Sequence, residues 1–201
     1  MTSIAFQKYL DKSLSYPQYR ALIDTLLMEG KTTGANHSAD FINYTQLNVI
    51  RMERLDKTIV LKDDVLVALQ RLKRKQIWLV ITEAWCGDAA QNLPILHQIA
   101  EQNSNIELHL VLRDENPELM DQYLTNGGRG IPKLIMLDAE TLTELATWGP
   151  RPAGAQELLA AHKANPTESH ADFVKNVQLW YAKDKTLSTQ HELLALLKSI
   201  D

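Results

Sequence analysis

The sequence holds a single cysteine in 201 residues, Cys86. One thiol excludes an intramolecular disulfide and any metal site built from several cysteines. Long apolar runs are also missing: the longest are of strand length, well short of the roughly 20 residues a membrane-crossing helix needs. Residues 1–10 lack the apolar core of a signal peptide, so the chain is expected in the cytoplasm, where a thiol is readily kept reduced. Excess positive charge is absent. The formal charge of −4 and pI near 5.9 argue against nucleic acid or an acidic membrane as the main partner. No internal repeat, low-complexity tract or cofactor motif stands out. What remains is 45% hydrophobic and 23% charged, an ordinary globular composition for one domain with additions or two small ones.

The informative stretch is 77–94, IWLVITEAWCGDAAQNLP. It opens on Ile77-Trp78-Leu79-Val80-Ile81, too short for a helix and rich in β-branched residues, which predicts a strand buried on both faces. Apolar residues then recur at helical spacing: Leu93, Leu96, Ile99 and Ala100. Cys86 therefore falls where a central strand hands over to a helix, and there backbone N–H groups and the helix dipole favour a thiolate.

Three landmarks in order carry a family resemblance. Trp85-Cys86-Gly87-Asp88-Ala89 resembles the W-C-G-P-C redox motif of the thioredoxin superfamily. Pro94 stands eight residues after Cys86, where that family has its helix-kinking proline. Arg129-Gly130-Ile131-Pro132 resembles the R-G-I-P segment whose cis-proline packs beside the active-site sulfur. Gly149 suits the glycine after the family's last strand. The resemblance covers 75–165 and implies an α/β thioredoxin-like fold, a central mixed sheet flanked by helices. A helical N-terminal extension over 1–74 and a C-terminal helical extension over 166–201 complete the expected organisation. The W-C-G-D-A form is similar to that of a group of bacterial thioredoxin-like proteins with a helical N-terminal extension, a likeness that implies no reaction.

The departures are mutually consistent. Ala89 stands where a dithiol member has its second cysteine, and Val80 stands where the family has the buried acid that helps deprotonate it. Lys133 replaces the usual threonine after the proline.

Around this centre the pattern predicts helices over 4–14, 17–29, 40–55 (with Asp40 as N-cap) and 63–73. It predicts strands over 106–112, 132–137 and 142–147, a short helix from Asn116-Pro117, and helices over 153–162, 169–181 and 189–200. The N-terminal helices could be read as a DNA-reading helix-turn-helix, but none shows a dense basic face; they are expected to pack on the core or to form a self-association surface that makes a homodimer. His109 reads as a half-buried strand position.

The resemblance implies Cys86 as catalytic thiol, exposed and acidified, with Trp85, Gly87, Asp88, Arg129, Ile131 and Pro132 forming the substrate surface. Ile131 and Pro132 would pair with an extended segment. Arg129 would either steer an anionic thiol such as glutathione or cap nearby carbonyls. Asp88 pulls the other way, since its charge raises a neighbouring thiol pKa. A Cys86–His97 pair fails on distance, roughly 16 Å along a helix. Glu83, Asp88 and His97 lack metal-ligand spacing. Two functions stay open. One is monothiol disulfide exchange or thiol capture through Cys86, with a protein or low-molecular-weight thiol or disulfide as substrate and an external resolving thiol. The other is a redox-inactive thioredoxin-fold module that binds a protein partner.

Overall fold

The computed structural model describes residues 4–167 and 169–200; the ends of the expected extensions at 1–3 and 201, and residue 168, lie outside the described residues. The chain runs through α1 (Gln7–Leu10), α2 (Tyr16–Met28), α3 (Ala39–Thr58) and α4 (Asp63–Arg71) before its first strand. Then come β1 (Gln76–Thr82), α5 (Gly87–Glu101), β2 (Ile106–Leu112), α6 (Pro117–Met120), β3 (Lys133–Asp138) and β4 (Glu144–Trp148). It closes with α7 (Ala153–Ala164), α8 (His170–Asp184) and α9 (Leu187–Ile200).

The four strands form one mixed sheet in the order β2-β1-β3-β4. β1 lies parallel to β2 and antiparallel to β3, and β3 is antiparallel to β4. Every residue of β1 is buried, as an unbroken apolar run covered on both faces requires. One hydrophobic core joins the sheet to its additions: Tyr19, Ile23, Met52 and Leu69 from the N-terminal helices pack with Trp78, Leu93 and Leu193. α7 and α8 share a smaller cluster of Ala155, Phe173, Val177 and Tyr181.

Several expected elements shift for local reasons. The helix expected over 4–14 is confined to Gln7–Leu10, because the Leu14 backbone pairs with Leu110 through two 2.8 Å hydrogen bonds and covers the open edge of β2. His109 is half-buried there and shares a 2.7 Å hydrogen bond with Ser13. Asp40 is not the N-cap of α3; the helix begins at Ala39 with Ser38 in that position, leaving Asp40 in the first turn, where its charge complements the dipole. α2 has a full capping box, Ser15 accepting from the Gln18 N–H while Gln18 Oε1 accepts from the Ser15 N–H at 2.8 Å. The strand expected from residue 142 starts at Glu144 instead. Leu142 takes a left-handed backbone (φ 55) in a turn whose Thr141 and Glu140 N–H groups donate to Asp138.

Candidate functional site

Cys86 is the N-cap of α5, at the C-terminal side of β1, as the strand-to-helix pattern predicts. The Ala89 N–H donates to Sγ at 3.4 Å, and the thiol donates to the Ile131 carbonyl at 3.2 Å. The Ile131–Pro132 and Gly149–Pro150 peptide bonds are both cis. Gly149 (φ 103) holds the second of these loops against the first, since a side chain there would fall on the Pro132 carbonyl. Cys86, Ile131 and Pro132 thus come together as the sequence landmarks imply.

The expected exposure does not. Cys86 is 9% exposed, and both Ile131 and Pro132 are buried. Burial pushes the thiol up to about 12, and the Asp88 carboxylate adds to the rise; the Ala89 and Asp88 N–H groups and the Arg151 guanidinium pull back only in part. The expected exposed, acidified thiol is therefore corrected to a buried, protonated one. The physical cause is desolvation, which outweighs the helix N-terminus when the site is covered.

The cover comes from both ends of the chain. On one side, the loop before α3 and α3 itself hold the strand-to-helix turn: Thr33 Oγ1 accepts from the Ala84 N–H at 2.9 Å, and Asn48 Nδ2 donates to the Ala84 carbonyl at 2.8 Å. Trp85 is half-buried, tilted against Phe41 with ring centroids 5.0 Å apart and covered by the Arg113 guanidinium at 4.6 Å. On the other side stands α8. Asp88 forms a buried ion pair with Arg151, whose Nε donates at 3.0 Å and whose Nη2 makes a second, short contact. The Tyr181 hydroxyl donates to the other Asp88 oxygen at 2.8 Å. Asn92 donates to the Asp88 carbonyl at 2.8 Å and to the Tyr181 oxygen at 3.1 Å, and accepts from Thr189 at 2.8 Å. Gln91 donates to Gln178 at 2.8 Å, and a side chain at Gly87 would stand 3.0 Å from Gln178 Nε2.

Two of the expected substrate-contacting side chains are thus already paired within the chain. Asp88 is locked by Arg151 and Tyr181. Arg129 is exposed and forms a bidentate pair with Asp121 at 2.7 and 2.8 Å, the planar fork matching the carboxylate, so it neither caps a carbonyl nor stands free to steer an anion. Glu83, three residues before Cys86, is fully buried; Oε1 accepts from the Asp114 N–H at 2.8 Å, and burial raises its carboxyl above the ordinary range. Among the described residues no three His, Cys, Asp or Glu side chains gather as a metal site, and no helix is long and apolar enough to cross a membrane.

Sequence reasoning missed Arg151, Tyr181, Asn92, Thr189 and Asn48. The available signals were faint: an arginine between Pro150 and Pro152, and Asn92 directly before the apolar run Leu93-Pro94-Ile95-Leu96 of α5.

Two solved structures share this architecture. A protein of unknown function from Pseudomonas aeruginosa aligns over 98% of this chain and 98% of its own, with a TM-score of 0.65 and 18% identity. An HIV epitope-scaffold aligns over 87% of this chain and 96% of its own, with a TM-score of 0.54 and 23% identity. Both are likenesses of fold alone. No curated protein matches the chain in sequence. Residues 34–165 match the sequence profile of the family described as Thioredoxin. That span takes in α3, the Cys86 turn and the cis-proline loops, more than half of the chain, and so the chain belongs to the thioredoxin family.

Proposed function

We propose that this protein is a thioredoxin-fold binding module whose Cys86 turn serves as a structural joint and not as a disulfide-exchange centre. One observation carries the reading: the thiol is buried and donates to the Ile131 carbonyl, beneath a cover supplied by α3 and α8. A thiol that donates a hydrogen bond holds its proton, and it is the thiolate that attacks disulfides. The loss of the second cysteine at Ala89 agrees with this, since no internal thiol can release a mixed disulfide.

Monothiol exchange is the second reading, favoured by the Ala89 N–H directed at Sγ. In it the Cys86 thiolate attacks one sulfur of a substrate disulfide, the other sulfur leaves as a thiolate, and an external thiol then displaces the captured half. It requires α3 or α8 to move aside first.

The pH dependence of Cys86 alkylation in the native protein separates the two. The binding-module reading expects labelling to stay negligible until well above about pH 8.5, the ordinary thiol value, and to become fast only on unfolding. Rapid labelling at neutral pH would overturn it in favour of exchange.

A further inference from the structure

Beside the first turns of α5, α3 and α8 leave a groove open between them. It is made of two cavities, of about 300 Å³ and about 500 Å³, that share Arg54 and Ala182. The shorter arm reaches Gln91 on α5; the longer runs to Thr186 and Leu187 at the turn between α8 and α9.

Its charges are all of one sign. Arg51, Arg54, Lys62, Lys175 and Lys185 line it, and among the described residues no carboxylate does. Acids outnumber bases in the whole chain, 25 to 21, so an average stretch of this surface would carry both. None of these five cations meets a carboxylate within ion-pair distance among the described residues, although nine other basic side chains do. Several neighbouring acids have other partners: Glu53 and Asp56 face Arg20, Asp88 is held by Arg151, and Asp184 accepts from the Ser188 N–H. Arg51 is half-buried, and among the described residues its side-chain hydrogen bond is to the Asn48 side-chain oxygen. Burial, followed by the charge of Arg54, holds its guanidinium below the ordinary range.

Apolar side chains lie exposed among these cations. Ile50 is 63% exposed, Val60 79%, Leu179 48% and Leu187 40%. Isolated exposed hydrophobics need no explanation, but several along one groove mark an interaction surface.

We propose that this groove docks an acidic amphipathic helical segment of a partner protein. Apolar residues three or four apart on that segment would meet Ile50, Leu179, Val60 and Leu187, while carboxylates on its flanks would pair with the five cations. A small anion would use only a fraction of this length and none of its apolar surface. A lipid headgroup layer is flat, whereas this site lies in a cleft between two helices of an acidic chain. The inference rests on the binding-module reading and names the chemistry of its partner.

The test uses the full chain and a synthetic amphipathic peptide of about 20 residues, the length of a 30 Å helix, with glutamates on one face and leucines on the other. Fluorescence anisotropy is expected to show binding that weakens with added salt, and Arg54→Glu and Lys175→Glu are each expected to loosen it by about tenfold, through like-charge contact. Both residues are exposed, and far-UV circular dichroism confirms that the variants fold. Unchanged affinity in both variants, equal binding of a lysine-for-glutamate peptide, or equal binding of polyglutamate would overturn the proposal. So would tighter, Arg54-dependent binding to vesicles of acidic phospholipid, which would make the groove a membrane contact. Cys86 alkylation in the same samples reports on the underlying reading separately: a reactive thiol beside Arg54-dependent peptide binding removes that reading and leaves the groove standing.

Discussion

Two surfaces flank the N-terminal turns of α5, and they treat charge in opposite ways. At the Cys86 turn charge is internalised and paired: Asp88 meets Arg151 and Tyr181, and the neutral Asn92 amide meets Tyr181 and Thr189, while among the described residues only Arg151 Nη1 and Glu83 Oε2 stay buried there without a hydrogen-bond partner. In the α3–α8 groove a short distance away, five cations meet no carboxylate among the described residues, and apolar side chains face water. A surface whose charge is already paired inside the fold has little to offer a ligand. One whose charges and apolar area are left over has interaction energy in reserve. The Cys86 turn is of the first kind, and the groove between α3 and α8 is of the second.

Breaking the internalised side should have the largest effect. Arg151→Met leaves Asp88 as a buried carboxylate with one charge partner gone, and loss of one member of such a pair costs about 3–5 kcal/mol. Both side chains are almost wholly enclosed, at 15% and 10% exposure, so solvent screening relieves little of this. Urea unfolding is the measurement. In the double variant Asp88→Asn/Arg151→Met much of the loss should return, because the uncompensated charge goes as well. A single-variant cost of about 1 kcal/mol or less, typical of surface pairs, would mean that the site opens to water and that the contrast between the two surfaces is smaller than drawn here.

Asn48→Ala comes next. Asn48 is fully buried and its amide donates to the Ala84 carbonyl just before Trp85. Without it that carbonyl is orphaned, at a cost of about 1–3 kcal/mol, again read by urea unfolding. The same variant frees the turn from α3. If Cys86 alkylation accelerates at neutral pH in Asn48→Ala while the native protein stays unreactive, then α3 is the element that holds the site shut.

The sequence showed β1 and β2 to within a residue at each end, because unbroken or alternating apolar patterns are local. The Cys86 helix start and the pairing of Ile131–Pro132 with the sulfur were also visible, through the family landmarks. The cover was not. Arg151, Tyr181 and Thr189 reach Asp88 and Asn92 across 63 to 97 residues of chain, and no periodicity encodes such contacts. Tyr181 was only the end of the helix expected over 169–181, and its hydroxyl is what matters. The exposed, acidified thiol was expected because the family resemblance implies one and a helix N-terminus favours a thiolate, whereas desolvation depends on what the distant helices do. The groove stayed hidden for the same reason: Arg51, Arg54, Lys62, Lys175 and Lys185 look interleaved with acids along the chain, and they segregate only once α3 and α8 are placed side by side.

A third effect is smaller and depends on pH. The thiol's folded value, about 12, lies above its unfolded value of about 8.5, so the folded state keeps a proton that the unfolded state gives up in between. The associated stability is fully present below about pH 8.5 and is lost as pH rises toward the folded value, at about 1.4 kcal/mol per unit. Between about pH 8.5 and 9.5, below ordinary tyrosine titration, the unfolding free energy should fall with that sign, and Cys86→Ala should flatten the slope. An equal slope in Cys86→Ala would mean that the thiol is not held protonated by the fold.

The smallest expected effect sharpens the comparison most. Arg54 lines the groove on its exposed side and makes no ion pair among the described residues, so Arg54→Glu should leave stability within about 0.5 kcal/mol of the parent. Any change should be favourable, since the variant places a carboxylate one helical turn from Arg51 and removes the cation that depresses it. Thermal and urea unfolding measure this. A surface maintained for the fold loses stability when its charges are altered, whereas one maintained for a partner loses affinity alone. Marked destabilisation by Arg54→Glu would place the groove with the Cys86 turn, as charge serving the fold. Unchanged stability beside loosened peptide binding would keep the two surfaces apart, with the energy at one already spent within the chain and the energy at the other still to be used by a partner.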